Sequence, residues 1–353
     1  MLSPRPVAGF APPDFGGASL LNFAATLEAA LGGSPRYPLL ADTQVRDRLL
    51  SARHLVVWLI DGLGVEPLQA LSPRGALAKA VCTEIEAVFP TSTAPTLTTL
   101  MTARSPAVHA VPEWFLWLDE FGAIYRSLPL DTRDPFSGRP PIDDASAIYP
   151  QPSLMARAQR PCTVVLPAVI AQSAYSRYTH AMARALAYSG EESFLAAVAA
   201  AVDAHREGGY VYAYVDWFDQ VAHEFGCASD EAHAVVHHLD RWFERLAQAL
   251  AARGALLVVT SDHGFSDVPG HLRYQLDSCR EILGCLERPL CGGPRTPFAY
   301  VRAGRRDEFP SIVERQLHCV LVASPIDGDP GAQTIADTSF DTRGDRDQDQ
   351  DDG

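Results

Sequence analysis

The sequence predicts an α/β protein: a three-layer α/β/α sandwich around a mostly parallel sheet, with an inserted cap. Two short runs, Leu55-Val56-Val57-Trp58-Leu59-Ile60 and Leu256-Leu257-Val258-Val259, are apolar without alternation. That is the pattern of strands covered on both faces. Helix-like and strand-like segments alternate along the chain, the order that builds a parallel sheet through crossover helices. Both apolar runs also end in reactive side chains, Asp61-Gly62 after the first and Ser261-Asp262-His263-Gly264 after the second. Parallel strands in an open sheet deliver their carboxyl ends to one crevice, so Asp61, Asp262 and His263 are expected to meet there.

The elements follow in order. Residues 1–36 are rich in Pro and Gly and predict a segment that wraps the surface, with a short helix near 20–31. The α/β domain is expected over 37–323. A helix near 42–51 leads into a strand at 54–60, after which Gly62 and Gly64 permit a tight turn. A strand is predicted over 81–89, punctuated by Pro90-Thr91-Ser92-Thr93-Ala94-Pro95, then a helix over 96–103. Residues 105–190 predict the cap: Trp114, Phe115, Trp117, Phe121 and Tyr125 cluster there beside a Pro- and Asp-rich loop at 131–144, and a short strand is expected at 163–166. A helix over 191–206, a strand over 210–215, a long helix over 230–252 and a strand over 255–260 come next. The long helix carries Leu239, Trp242, Phe243, Leu246 and Leu250 at helical spacing. A strand at 297–301, a helix at 306–317 and a last strand at 319–322 complete the domain. From 324 to 353 apolar periodicity stops and the chain becomes acidic and of low complexity, which predicts a disordered tail.

Composition narrows the function. The 353 residues are 47% hydrophobic and 20% charged, which suits one large α/β domain with an insertion. A net charge of −14 argues against nucleic-acid polymers and anionic membranes as partners. Residues 327–353 hold nine Asp against two Arg, half of that net charge, so the body is less acidic than the average. Small anionic substrates stay compatible with it if bound cations supply local positive charge. The seven cysteines show no CxxC spacing, which fits a reducing compartment better than a disulfide framework. No basic start followed by an apolar core stands at the N-terminus, so a cytoplasmic protein is expected.

A third segment resembles the first two. Tyr212-Ala213-Tyr214-Val215-Asp216-Trp217-Phe218-Asp219-Gln220-Val221-Ala222-His223 follows a strand with an acid and, four residues on, a histidine. Carboxylates and imidazoles converging on one sheet edge point to divalent cations. The hydroxyls of Thr91, Ser92 and Thr93 lie at a strand-to-helix turn, where free N–H groups and the helix dipole favour an anion.

Together these segments resemble the alkaline phosphatase superfamily, and within it the nucleotide pyrophosphatase/phosphodiesterase-like branch. The matching stretches are Leu59-Ile60-Asp61-Gly62, Phe89-Pro90-Thr91-Ser92-Thr93, Asp219-Gln220-Val221-Ala222-His223 and Ser261-Asp262-His263-Gly264-Phe265. Arg104-Ser105-Pro106-Ala107-Val108-His109-Ala110 also matches, with a Gly more usual where Ala103 or Arg104 stands. The resemblance implies two divalent ions of zinc type, with manganese or iron also compatible with Asp and His ligands. Asp61, Asp262 and His263 would bind one ion, which Thr93 contacts as nucleophile; Asp219 and His223 would bind the second. Attack by Thr93 would give a phosphothreonine that water then hydrolyses. The family's second ion normally takes a further downstream His. His271 is the candidate here and His318 the alternative, and the acidic stretch after Val322 leads us to expect a second site short of one ligand. The substrates implied are small phosphodiesters or nucleotides. A phosphomonoesterase, a phosphonate hydrolase and a non-catalytic relative are the alternatives; a sulfatase would need a Cys-x-Pro-x-Arg-like context that this chain lacks. Tyr175, Arg177 and Tyr178 are candidates for contact with substrate phosphate or leaving group.

Overall fold

The computed structural model describes residues 14–270, 273–317, 324–326 and 329–334. The chain divides into two compact units, Pro13–Asp267 and a smaller one built of Met1–Pro12 with Val268–Gly353. The division at Asp267 falls within the stretch 37–323 expected as the α/β domain.

The larger unit is a three-layer α/β/α sandwich. Its sheet holds β1 (His54–Ile60), β4 (Cys162–Pro167), β5 (Arg184–Tyr188), β6 (Gly209–Val215) and β7 (Ala255–Thr260), all parallel, in the order β5-β4-β6-β1-β7. A hairpin outside this parallel sheet pairs β2 (Phe115–Leu118) with β3 (Ala123–Arg126). Every residue of β1 is buried, and the period of two divides them between two cores. Val56, Trp58 and Ile60 pack with Phe194 and Val198 of α8 (Glu191–Ala204), Phe218 of α9 (Trp217–Phe225) and Leu239 and Trp242 of α10 (Asp230–Ala251). Two short helices, α3 (Val65–Leu71) and α4 (Ala76–Ala80), join that layer through Leu68, Leu71 and Leu77. On the other face Leu55, Val57 and Leu59 pack with α1 (Leu20–Ala30), α2 (Thr43–Ser51) and α5 (Thr93–Thr102). This is why the first apolar run reads without alternation. The second run belongs to β7, which ends the sheet among the described residues and is half-buried rather than buried.

Four expectations change. Residues 20–30 do not wrap the surface: α1 is capped by a reciprocal Ser19–Asn22 box and almost wholly buried, because Leu20, Phe23, Leu27 and Leu31 close the second core. The strand expected over 81–89 is reduced to one bridge between Glu86 and Ser19, since the segment runs along the entry to α1 instead of joining the sheet. The expected cap over 105–190 shortens, because β4, β5 and α7 (Ala174–His180) lie within that range and the two strands are integral to the sheet. α5 begins at Thr93 rather than 96; Pro95 falls in the first turn, where its missing N–H has no helical partner to lose. A further short helix, α6 (Pro106–His109), follows it.

The smaller unit packs α11 (Arg280–Gly284) and α12 (Phe309–Leu317) through Ile282, Phe309 and Val313 against Ala299 and Val301. Its strands are β8 (Cys291–Gly292), β9 (Pro297–Tyr300), β10 (Ser324–Ile326) and β11 (Asp329–Thr334), with β9 antiparallel to both β8 and β11, and β10 antiparallel to β11. Part of the expected tail is thus strand: the ladder uses backbone groups, which need no apolar periodicity. The strand expected at 319–322, His271, His318 and the rest of the tail lie outside the described residues. No described helix is long and apolar enough to cross a membrane.

Candidate active site

Strand order decides which side chains meet. β6, β1 and β7 are neighbours, and their carboxyl ends release Asp216 and Asp219, Asp61, and Asp262 with His263. Three sequence segments about 40 to 160 residues apart therefore deliver acids to one point of the sheet edge, where the connections switch direction. Asp61 and Asp262 are buried, at 2% and 1% exposure, and the His263 side chain is 8% exposed.

The loops that carry them need their glycines. Gly62 has a φ of +74°, and a Cβ there would come within 2.7 Å of the Phe265 ring. A Cβ on Gly64 would lie 2.7 Å from the Cα of Gly264, so the loops that carry Asp61 and His263 cross backbone to backbone. Phe265 then serves both histidines: its ring centroid lies 4.9 Å from His223 in an edge contact and 5.6 Å from His263.

His263 Nε2 stands at the centre. It lies 3.0 Å from Thr93 Oγ1, 3.4 Å from Asp61 Oδ1, 3.6 Å from Asp262 Oδ2 and 3.9 Å from Asp219 Oδ1. On α9 the spacing of four puts His223 Nε2 3.5 Å from the same Asp219 oxygen. The His223 side chain is 70% exposed, so that side of the cluster is open to solvent. The structure thus unites Thr93, Asp61, Asp219, His223, Asp262 and His263, six of the seven residues expected; His271 is outside the described residues.

The remaining polar contacts are one-sided. The Gly62 N–H donates to Asp262 Oδ1 at 3.1 Å, and the Tyr214 hydroxyl donates to Asp61 Oδ2. The partner oxygens, Asp61 Oδ1 and Asp262 Oδ2, are buried and find no donor, and neither does Asp219 Oδ1. Buried carboxylate oxygens are normally hydrogen-bonded, and two like charges about 4 Å apart repel by about 4 kcal/mol at an intermediate dielectric. Accordingly the Asp61 carboxyl is pushed well above the usual carboxylate range by burial first and then by Asp262 and Asp219. Asp219 is raised too, mainly by burial, against the pull of His223 and His263. Carboxyl oxygens that lack hydrogen-bond donors, facing an imidazole nitrogen, fit divalent cations in both charge and chemistry. Among the described residues, Asp61, Asp262 and His263 bring their ligand atoms within 4.8 Å of one another.

Thr93 is the first residue of α5, and the N-cap Ser92 gives its side chain not to the helix but to Glu113, its hydroxyl donating to Oε2 at 3.0 Å. The first turn of α5 therefore keeps N–H groups without a side-chain cap beside the Thr93 hydroxyl.

Other candidates separate from the site. Tyr175 bonds Thr98 Oγ1 at 2.9 Å, Arg177 donates to the Asp143 carbonyl at 2.9 Å, and Tyr178 donates to the Gln151 carbonyl. All three hydrogen-bond from α7 to the segments around it. His109 bonds Thr99 Oγ1 at 3.0 Å and accepts from the Val111 N–H at 3.1 Å. Burial lowers its pKa to about 3, so it is a neutral structural residue. The residues that sequence reasoning missed are Tyr214, Phe265 as a support, and the Gly62 amide. A signal existed for Tyr214: Tyr210, Tyr212 and Tyr214 alternate along one buried strand face, and buried phenols seek partners.

Residues 55–321 match a family described as type I phosphodiesterase/nucleotide pyrophosphatase. The chain belongs to that family. It is accordingly a hydrolase acting on phosphoester bonds, in a family that depends on divalent metal ions. Among solved structures, murine ectonucleotide pyrophosphatase/phosphodiesterase 5 is similar at 16% identity, covering 80% of this chain and 79% of that one with a TM-score of 0.60. The human ectonucleotide pyrophosphatase/phosphodiesterase 5 is similar at 16% identity, 80% and 78% coverage and a TM-score of 0.54. Phosphonoacetate hydrolase from Sinorhizobium meliloti 1021, in complex with phosphonoformate, is similar at 17% identity, with 74% and 73% coverage and a TM-score of 0.52. At these identities the structures show a shared fold. No curated protein matches the sequence.

Proposed function

We propose that this member of the type I phosphodiesterase family cleaves small phosphodiesters or nucleotide pyrophosphates with Thr93 as nucleophile. The observation that carries the reading is Thr93 Oγ1 at 3.0 Å from His263 Nε2, at the head of α5 and beside three buried carboxylate oxygens that lack donors. Asp61, Asp262 and His263 would hold one divalent cation, and Asp219 and His223 the other. Bound zinc, manganese or iron would supply the positive charge that stabilises attacking and leaving oxygens. Thr93 Oγ1 bonds to phosphorus as the bond to one leaving oxygen breaks, giving an alcohol or phosphate leaving group and a Thr93 phosphodiester that still carries the other ester group. Water then adds at phosphorus, breaking the bond to Thr93, which releases the phosphomonoester or nucleotide and restores the hydroxyl. The uncapped first turn of α5 turns its N–H groups toward charge that develops at the phosphoryl oxygens. A murine relative has been described as inactive in a threonine-to-alanine form and in complex with AMP, which supports both a threonine nucleophile and a nucleotide substrate for the present chain.

The test is hydrolysis of bis-p-nitrophenyl phosphate, p-nitrophenyl phosphate and phosphonoacetate, with zinc and with chelator. The expected result is chelator-sensitive turnover favouring the diester. Thr93→Ala should lose on the order of 10³-fold or more in kcat while keeping its metal content. Preference for the monoester or for phosphonoacetate would move the assignment to a phosphatase or a phosphonate hydrolase. Silence on all three, with less than one ion bound, would favour a non-catalytic relative.

A further inference from the structure

The two buried aspartates at the centre of the site are held in the same asymmetric way. Asp262 has Oδ1 fixed by the Gly62 N–H at 3.1 Å, and its Oδ2 lies 3.6 Å from His263 Nε2 without a donor. Asp61 has Oδ2 fixed by the Tyr214 hydroxyl, and its Oδ1 lies 3.4 Å from His263 Nε2 without a donor. In each carboxylate one oxygen is engaged by the protein and the other is turned into the cluster. One anchor is a backbone amide, which no side-chain substitution removes; the other is a side chain, the described donor that reaches Asp61 Oδ2.

Strand geometry explains how Tyr214 comes to do this. It pairs with Leu59 in the β1–β6 register, and the Asp61 N–H bonds the Val215 carbonyl at 2.9 Å, so the ladder runs to the end of β1. Leu59 and Tyr214 belong to the core on the α5 side of the sheet. Alternation therefore sends Asp61, two residues beyond Leu59, to the same side, within reach of the phenol and of Thr93. The phenol is itself fixed: Tyr214 is 8% exposed, and the carbonyl of its own residue accepts from the Tyr188 hydroxyl at 2.9 Å. Carboxylate ligands are commonly oriented by a hydrogen bond from outside the metal's own ligands, and loss of such a partner costs about 10- to 100-fold in metal affinity or activity.

We propose that Tyr214 is a positioning residue that holds the Asp61 carboxylate by Oδ2 so that Oδ1 is presented to a divalent cation. This rests on the cation-binding reading of the site. Tyr214 touches neither the nucleophile nor the phosphoryl group in this scheme; it acts through Asp61. Removing its hydroxyl leaves the carboxylate free to rotate and Oδ2 buried without a donor, so the cation must first order the group it binds.

The test uses the full-length protein, stripped of metal and titrated with zinc by calorimetry, as wild type, Tyr214→Phe and Tyr188→Phe. Tyr188→Phe removes a hydroxyl that bonds the Tyr214 carbonyl rather than Asp61, so it controls for damage to the strand. The expected result is a zinc dissociation constant raised about 10- to 100-fold in Tyr214→Phe and unchanged in Tyr188→Phe. Turnover of Tyr214→Phe should return to near the wild-type kcat at saturating zinc, because affinity rather than chemistry is lost. Equal constants for wild type and Tyr214→Phe would overturn the proposal alone. A raised constant in Tyr188→Phe equal to that in Tyr214→Phe would overturn it as well, by showing a general effect of the strand. Failure of the wild type to bind zinc, manganese or iron would overturn the cation reading and this proposal with it.

Discussion

At the scale of single residues, the site trades stability for chemistry. Asp61 and Asp219 both hold protons more tightly than free carboxylic acids because burial and neighbouring carboxylates penalise their charge. A group whose pKa is raised on folding contributes stability below its unfolded pKa and loses it as pH rises through the folded value. Metal-free protein should therefore lose this stabilisation as pH climbs out of the acid range, and a bound cation should remove the loss. Asp219→Asn relieves part of the repulsion: we expect metal-free protein more stable by about 1 kcal/mol and weaker cation binding, read by denaturant melts and zinc titration. His109 acts with the opposite sign. Its folded pKa, lowered to about 3 mainly by burial, lets the unfolded state take up a proton first as pH falls below about 6.5. That stability is present above the unfolded pKa and is lost on acidification. His109→Gln should flatten the fall in unfolding free energy between pH 6.5 and 4 by up to one proton; an unchanged slope would remove His109 from the acid response.

At the scale of elements, α5 shows how neighbouring segments are made to fit. Its threonines bond back along the helix, Thr98 to the Ala94 carbonyl at 2.7 Å and Thr102 to the Thr98 carbonyl at 2.6 Å, so a polar sequence can form a buried helix. The helix ends at Ala103, whose φ of 51° and ψ of 42° are left-handed, and the next short helix, α6, ends at Ala110 with a φ of 61°. A side chain there costs on the order of 1 kcal/mol relative to glycine. Ala103→Gly and Ala110→Gly should each raise the melting temperature; a fall for both would show that the Cβ contacts outweigh the backbone strain. Just beyond α5, Arg104 reaches Glu28 on α1 at 2.9 Å, and Arg157 reaches the same carboxylate at 2.8 Å. Glu28 is 2% exposed and the Arg104 side chain 6%. Glu28→Gln leaves a buried guanidinium without its anion and should cost about 3–5 kcal/mol in unfolding free energy. A loss under 1 kcal/mol would mean that water or backbone carbonyls satisfy Arg104 without it.

At the scale of the whole molecule, cations and fold are thermodynamically linked. A ligand that binds the folded state alone stabilises it by about 2.7 kcal/mol at a hundredfold excess over its dissociation constant. Chelation should thus lower the melting temperature of native protein and added zinc restore it; a melting curve blind to both would argue that the acids do not converge on a cation. Much of this architecture was legible in the residues. The parallel strands at 54–60 and 255–260, the long helix from 230 and the acids after three strand ends follow from apolar runs and punctuation, because burial on both faces leaves a direct mark on composition. Local signals failed where a partner distant in sequence decides the outcome. Residues 81–89 have strand-like composition but found no neighbour in the sheet, and 184–188 became the edge strand beside β4 on weak signals of their own. By itself the sequence determined the family, the sandwich and which acids, histidines and hydroxyls follow the strand ends, since these depend on residue type, order and spacing. Only the tertiary structure decided that β6, β1 and β7 stand side by side, that Phe265 lies against both histidines, and that Tyr214 rather than water or backbone holds Asp61. Those are contacts between segments far apart in the chain, set by strand order and side-chain direction, which no local pattern encodes.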